Sequence, residues 1–257
     1  MKVSLSQIKA AYSEEKKRWD FTYPWLYFVI RPVSFWMTWL LMPLGISANQ
    51  VTFISVLVGL VSFAFFAQGY GTGFYAGTIL LVLFNLLDCV DGNIARFRKT
   101  DGPVGNFFDG LAVIHPLSYA FIGFGLYLTP DRSLELIIPG LDLAEVAGIS
   151  LFCAGVATTF AKLFSNLVQT SFFSIFGHDW DAYRRRNADK YVSHAEKWYM
   201  YVYRNITELQ AHEFILLAAV AAKLVGLFVI VSALISLSDL VFNIFMYVRR
   251  AGKMTKQ

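Results

Sequence analysis

The residue types able to do chemistry gather in one stretch. It reads Asp88-Cys89-Val90-Asp91-Gly92-Asn93-Ile94-Ala95-Arg96, then eight residues, then Gly105-Asn106-Phe107-Phe108-Asp109. Asp88 and Asp91 are three apart and share one helix face, and Gly105 and Asp109 are four apart and share a face of the next helix. The short connection 97–104, with Asp101-Gly102-Pro103 as its turn, predicts antiparallel neighbours whose carboxylates converge near the cytoplasmic membrane boundary. A carboxylate inside an apolar helix costs roughly 2.5–3.5 kcal/mol on insertion scales. Three that face one another therefore need a cation to offset their repulsion. Oxygen-only ligands select a hard divalent ion, so Asp88, Asp91 and Asp109 predict Mg²⁺ or Mn²⁺ and argue against zinc. Such an ion bridges and polarises a diphosphate. The alternative for the three aspartates is a structural polar cluster.

Three neighbours fit the same chemistry. Gly92 and Ala95 lack bulk, so a nucleotide or another helix can approach that backbone closely; the alternative is small-residue helix packing. Arg96 supplies a planar positive fork suited to phosphate oxygens, or else serves as an anchor at the membrane surface.

The elements that must hold these residues are membrane helices. Of 257 residues, 56% are hydrophobic and only 16% charged, with 24 Phe, and the mean hydropathy is +0.52. This is far more apolar than a soluble domain. At roughly 20 apolar residues per span, the pattern predicts an all-α integral membrane protein of six transmembrane helices: 51–69, 73–96, 105–129, 144–176, 208–223 and 226–248. The fourth is long enough to leave the bilayer. The last two come from one apolar stretch divided near Ala222, Lys223 and Gly226.

Residues 1–50 are expected to form amphipathic interfacial helices, residues 51–248 the catalytic membrane domain, and residues 249–257 a basic tail. Within 22–45, Pro24, Arg31, Pro32 and Pro43 interrupt an aromatic stretch, which predicts helices lying on the membrane with Trp25, Trp36 and Trp39 at headgroup depth. A seventh span is the alternative. The polar start of the chain does not resemble a cleaved signal peptide. Cys89 and Cys153 sit in apolar helices and read as buried small hydrophobes.

Charge sets the expected orientation. All but three of the 22 basic residues fall in 1–50, 97–104, 177–207, 249–257 or their borders; the exceptions are Arg132, Lys162 and Lys223. The positive-inside rule then places both termini and the carboxylate site in the cytoplasm. The net charge of +4 belongs to these loops, and no basic run suggests nucleic acid as a partner. The basic, aromatic connection 177–207 is either a solvated loop or a binder of an anionic headgroup.

The pattern D-x2-D-G-x2-A-R-x8-G-x3-D resembles the signature of the CDP-alcohol phosphotransferases. Gly45-Ile46-Ser47-Ala48-Asn49-Gln50-Val51-Thr52 is similar to the segment that opens the first span in many members. The resemblance implies a membrane enzyme that moves a phosphoalcohol from a CDP-linked donor to an alcohol, releasing CMP, in phospholipid and related syntheses. It implies Asp88, Asp91 and Asp109 as metal ligands. Gly92, Ala95, Arg96 and Gly105 would then shape the nucleotide and diphosphate site, with Asn49 and Thr52 nearby. Members are commonly homodimers.

One position departs from the family pattern. A fourth aspartate, the base that activates the acceptor hydroxyl, is expected at 113, and this chain has Val113. His115 sits two residues on, about 200° around a helix from 113, and reads as a buried, satisfied side chain. The expectations that remain are an already ionised acceptor such as a lipid phosphate, or a base from the cytosolic segment: His178, Asp179, Asp181 or His194. The same site also fits another nucleotide-linked donor, such as a nucleotide sugar, or a non-catalytic nucleotide-binding relative. An ion-coupled transporter is disfavoured, because the carboxylates cluster at one end of two helices and no inverted pair of broken helices is visible.

Overall fold

The computed structural model describes residues 3–69, 71–100, 114–129, 144–186, 198–207 and 209–254, and every regular element among them is helical. In chain order these are α1 (Leu5–Ala10), α2 (Glu14–Phe21), α3 (Arg31–Leu41), α4 (Ala48–Phe66), α5 (Thr72–Arg98), α6 (Ile114–Leu128), α7 (Ala144–Arg186), α8 (Trp198–Thr207), α9 (Leu209–Ala221) and α10 (Val225–Met254). Four helical stretches are long and apolar enough to cross a membrane: Ala48–Phe66, Thr72–Arg98, Gly148–His178 and Val225–Met254. The chain is an integral membrane protein. Outward-facing side chains such as Leu60, Ile79, Leu234, Val241 and Phe245 form the lipid-facing surface that a soluble fold would have to bury.

The expected third and fifth spans correspond to α6 and α9, of 15 and 13 residues. The start of the third, from 105, lies outside the described residues. The fourth span is α7, whose 43 residues make a rod of about 65 Å at 1.5 Å per residue, more than the hydrocarbon thickness. The last apolar stretch divides where expected: α9 stops at Ala221, Lys223 takes a left-handed φ of 60°, and α10 starts at Val225.

Segment 24–41 is one continuous helical run despite its prolines. A π-turn at Leu26–Ile30 precedes Pro32, and the Arg31 amide reaches back to the Leu26 carbonyl. The widened turn makes room for the ring that an α-helix would exclude. Trp36 and Trp39 point outward, whereas Trp25 packs on Phe214 of α9 with ring centroids 5.0 Å apart.

Gly45, at φ 70°, ends the short turn after α3, and Ser47 with Gln50 forms a capping box that starts α4. α4 then lies along α5, and α6 and α10 lie along α7. Side-chain volume is absent where α6 meets α7: a Cβ on Gly155 would stand 2.3 Å from the Tyr119 carbonyl. One core joins Phe63, Phe66, Phe74, Leu81 and Phe84 to Ile122, Leu126, Leu151 and Phe228. A second joins Ile8, Tyr12 and Phe35 to Val51, Leu87, Val90 and Ile94. The N-terminal helices thus pack on the motif helix.

Of the two cysteines, Cys89 is buried as expected, and Cys153 is exposed on the outer face of α7 instead of buried. In a bilayer an apolar thiol is as well solvated by lipid as by protein, so burial is not required of it.

Candidate active site

Asp91 lies inside α5 with 5% of its surface exposed. Thr52, on the second turn of α4, donates its hydroxyl to Asp91 Oδ2 at 2.6 Å. That contact fixes the carboxylate. It also explains why the capped start of α4 belongs to the site, since the capping box sets the register that brings Thr52 to Asp91. Asp88, one turn earlier, is half-buried. Among the described residues no group of three His, Cys, Asp or Glu side chains is placed to hold a metal. Asp109, Gly105 and Val113 lie outside the described residues. The two carboxylates present, all-oxygen and set in an apolar helix, fit part of the ligand set of a hard divalent cation.

Arg96 is placed by a buried amide. Its Nη2 donates to Asn93 Oδ1 at 3.0 Å. Asn93 Nδ2 donates to Ser34 Oγ at 3.1 Å and Thr38 Oγ1 at 3.2 Å. Arg31 Nη1 gives Asn93 Oδ1 a second, longer donor at 3.4 Å. All four hydrogen-bonding positions of the amide are used. The guanidinium lies over Gly92, where a Cβ would stand 3.1 Å from both of its terminal nitrogens. The absent side chain at Gly92 therefore makes room first for Arg96. Ala95 is half-buried on the same helix, and Asn49 is exposed on the first turn of α4.

Behind Arg96 lies an ion pair that motif reading does not supply. Arg31 (4% exposed) meets Asp20 (0%) with Nη2 and Oδ2 at 2.6 Å. Tyr12 donates its hydroxyl to the same oxygen at 2.6 Å and turns its ring to the guanidinium, 5.3 Å from the centroid. Burial, and then the adjacent Asp20 carboxylate, push the Tyr12 hydroxyl above its ordinary pKa, so it remains a donor. The sequence signal for this was Arg31 in an apolar stretch. A cation there needs a buried partner as much as it suggests a chain break.

A second polar group sits one turn before Asp88. Glu213 of α9 (1% exposed) accepts from Asn85 Nδ2 at 2.8 Å, and its other oxygen lies 2.7 Å from His115 Nε2. His115 is buried as expected, but only on one side is it satisfied: Nδ1 has no hydrogen-bond partner among the described residues. Of the segment proposed to supply a base, His178 is exposed on α7. Asp179 and Asp181 belong to the same helix, and His194 lies outside the described residues.

Residues 45–164 match the family model of the CDP-alcohol phosphatidyltransferases. The likeness covers just under half of the chain. The match opens at Gly45, spans α4, α5 and α6, and ends within α7. The N-terminal helices and α8–α10 lie outside it. No curated protein matches the chain. The family implies a membrane transferase that takes a phosphoalcohol from a CDP-linked donor, with a lipid or alcohol as acceptor, and its members generally use divalent metal ions.

Proposed function

We propose that this protein is a divalent-metal-dependent membrane transferase that moves a phosphoalcohol from a CDP-linked donor to a lipid or small acceptor. The observation that carries the reading is the pairing of Asp91 with Thr52 on the helix whose Arg96 is held by Asn93. Both lie within the family-matched segment. In this reading Asp88, Asp91 and Asp109 hold Mg²⁺ or Mn²⁺, which when bound neutralises and polarises the donor diphosphate. Arg96 reads phosphate oxygens, Gly92 and Gly105 keep space beside them, and Ala95, Asn49 and Thr52 border the nucleotide. The site and both termini face the cytoplasm, consistent with the distribution of Lys and Arg. A homodimer is the assembly proposed by family likeness.

Val113 favours a second reading, a relative that binds nucleotide without turnover. Thermal stabilisation of the purified protein by CDP-linked and sugar-linked nucleotides, with and without Mn²⁺, tests the first part of both. A shift that needs both CDP-linked nucleotide and metal is expected. A shift with sugar nucleotides alone would move the donor class, and no shift with any nucleotide would remove both readings. Turnover then separates transferase from binder.

A further inference from the structure

Resting on the transferase reading, we propose that His115, oriented by Glu213, is the base that takes the proton of the acceptor hydroxyl, in place of the carboxylate missing at 113. The dyad has the parts that such a base needs. Glu213 is buried and lies 2.7 Å from His115 Nε2, so it selects the tautomer with the proton on Nε2 and leaves the Nδ1 lone pair open. That nitrogen is buried and has no hydrogen-bond partner among the described residues. A carboxylate on one imidazole nitrogen with the other free is the arrangement that activates histidine as a general base. A purely structural histidine at this depth would ordinarily use both nitrogens, since an unmet buried acceptor costs about 1–3 kcal/mol.

Placement agrees. Asn85 bonds the other oxygen of Glu213 at 2.8 Å, and Asn85 and Asp88 share a face of α5. Three residues, about 4.5 Å of rise, separate them. Thr159 of α7 donates to the Pro116 carbonyl at 2.9 Å, and Ser118 to that of His115 at 2.7 Å, which fixes the first turn of α6. The other titratable groups of this region are paired elsewhere: Tyr119 with His212 Nδ1, His212 Nε2 with the Ile206 carbonyl, and Lys162 with the Thr207 carbonyl. Among the described residues of this region, only His115 has a ring nitrogen without a hydrogen-bond partner. Glu213 lies outside the family-matched segment, so the carboxylate that orients this base is supplied by the chain's own C-terminal helices.

The step balances as follows. The acceptor hydroxyl gives its proton to Nδ1, and its oxygen forms a bond to the phosphorus bearing the donor alcohol. The bond from that phosphorus to the bridging oxygen breaks, and CMP leaves with the electron pair. The imidazolium, neutralised by Glu213, then returns the proton to solvent or product.

The test is CMP release by protein in nanodiscs made from a total membrane lipid extract, with CDP-diacylglycerol or CDP-choline as donor and Mn²⁺ present. His115→Ala, His115→Gln and Glu213→Gln are expected to lose about 10²–10⁴-fold in rate at saturating donor, the range for a positioned base. Metal-dependent donor binding, which also reports folding, should remain. Added imidazole should restore part of the rate to His115→Ala, which a structural role would not allow. Variants that bind donor and release CMP at the parent rate would overturn the base and leave the transferase reading standing. So would lost rate in His115→Ala with donor bound and no response to imidazole. A parent that releases no CMP from either donor would overturn both together.

Discussion

Asp91 is held by Thr52, and that contact decides what substitution at either position does. On the proposed reading, Asp91→Ala removes a metal ligand, as Asp88→Ala and Asp109→Ala would. Each is expected to abolish Mn²⁺-dependent nucleotide binding in calorimetric titration. Unchanged binding in all three would end the metal-site account. Thr52→Val keeps the shape and deletes only the hydroxyl that orients the carboxylate. Loss of such an outer partner typically costs 10–100-fold in metal affinity, so Thr52→Val should weaken Mn²⁺ by about that factor without abolishing it. Arg96 behaves differently. Lysine keeps the charge but not the planar fork that bonds Asn93 and, on the proposed reading, a phosphate, so Arg96→Lys should weaken nucleotide binding about tenfold. Gly92→Leu should do at least as much, because its Cβ alone would stand 3.1 Å from the guanidinium. Parent-like binding in both variants would reduce these residues to packing and anchoring roles.

At the scale of elements, the N-terminal helices act on the site through the Tyr12–Asp20–Arg31–Asn93–Arg96 chain. Breaking a buried ion pair by removing one partner costs about 3–5 kcal/mol. Asp20→Asn should therefore lower the thermal midpoint markedly, and at temperatures where it remains folded it should bind nucleotide more weakly. Normal stability would show that Arg31 needs no buried counter-charge. This chain of contacts also marks where sequence reading stops. The motif helix and the break at Ala222 were legible because each is a local pattern of hydropathy or turn chemistry. Arg31 and Pro32 read as interruptions, since a π-turn that absorbs proline and a carboxylate eleven residues upstream leave no local signature. Glu213 and His115 are 98 residues apart, and nothing in either neighbourhood announces that they pair. The expected fifth span coincides with α9, whose 13 residues make a short apolar helix.

For the whole molecule, the departure at Val113 is the decisive feature of the reaction. An ordinary family member deprived of its base should recover when the carboxylate is returned. Here the dyad supplies a proton acceptor, and an ionised acceptor would need none, so Val113→Asp is expected to leave native transfer unimproved in either case. A gain of 10²-fold or more, measured as CMP release, would instead describe a crippled enzyme of the ordinary type. The central claim is the reaction class itself, and mass spectrometry of products tests it most directly. The purified protein is incubated with CDP-diacylglycerol, CDP-choline and membrane lipid extract in the presence of Mn²⁺. The account predicts CMP together with a new species heavier than an acceptor by the donor's phosphoalcohol, both absent with a chelator and in Asp91→Ala. Donors recovered intact by a protein that binds them, or products formed equally in Asp91→Ala, would contradict it.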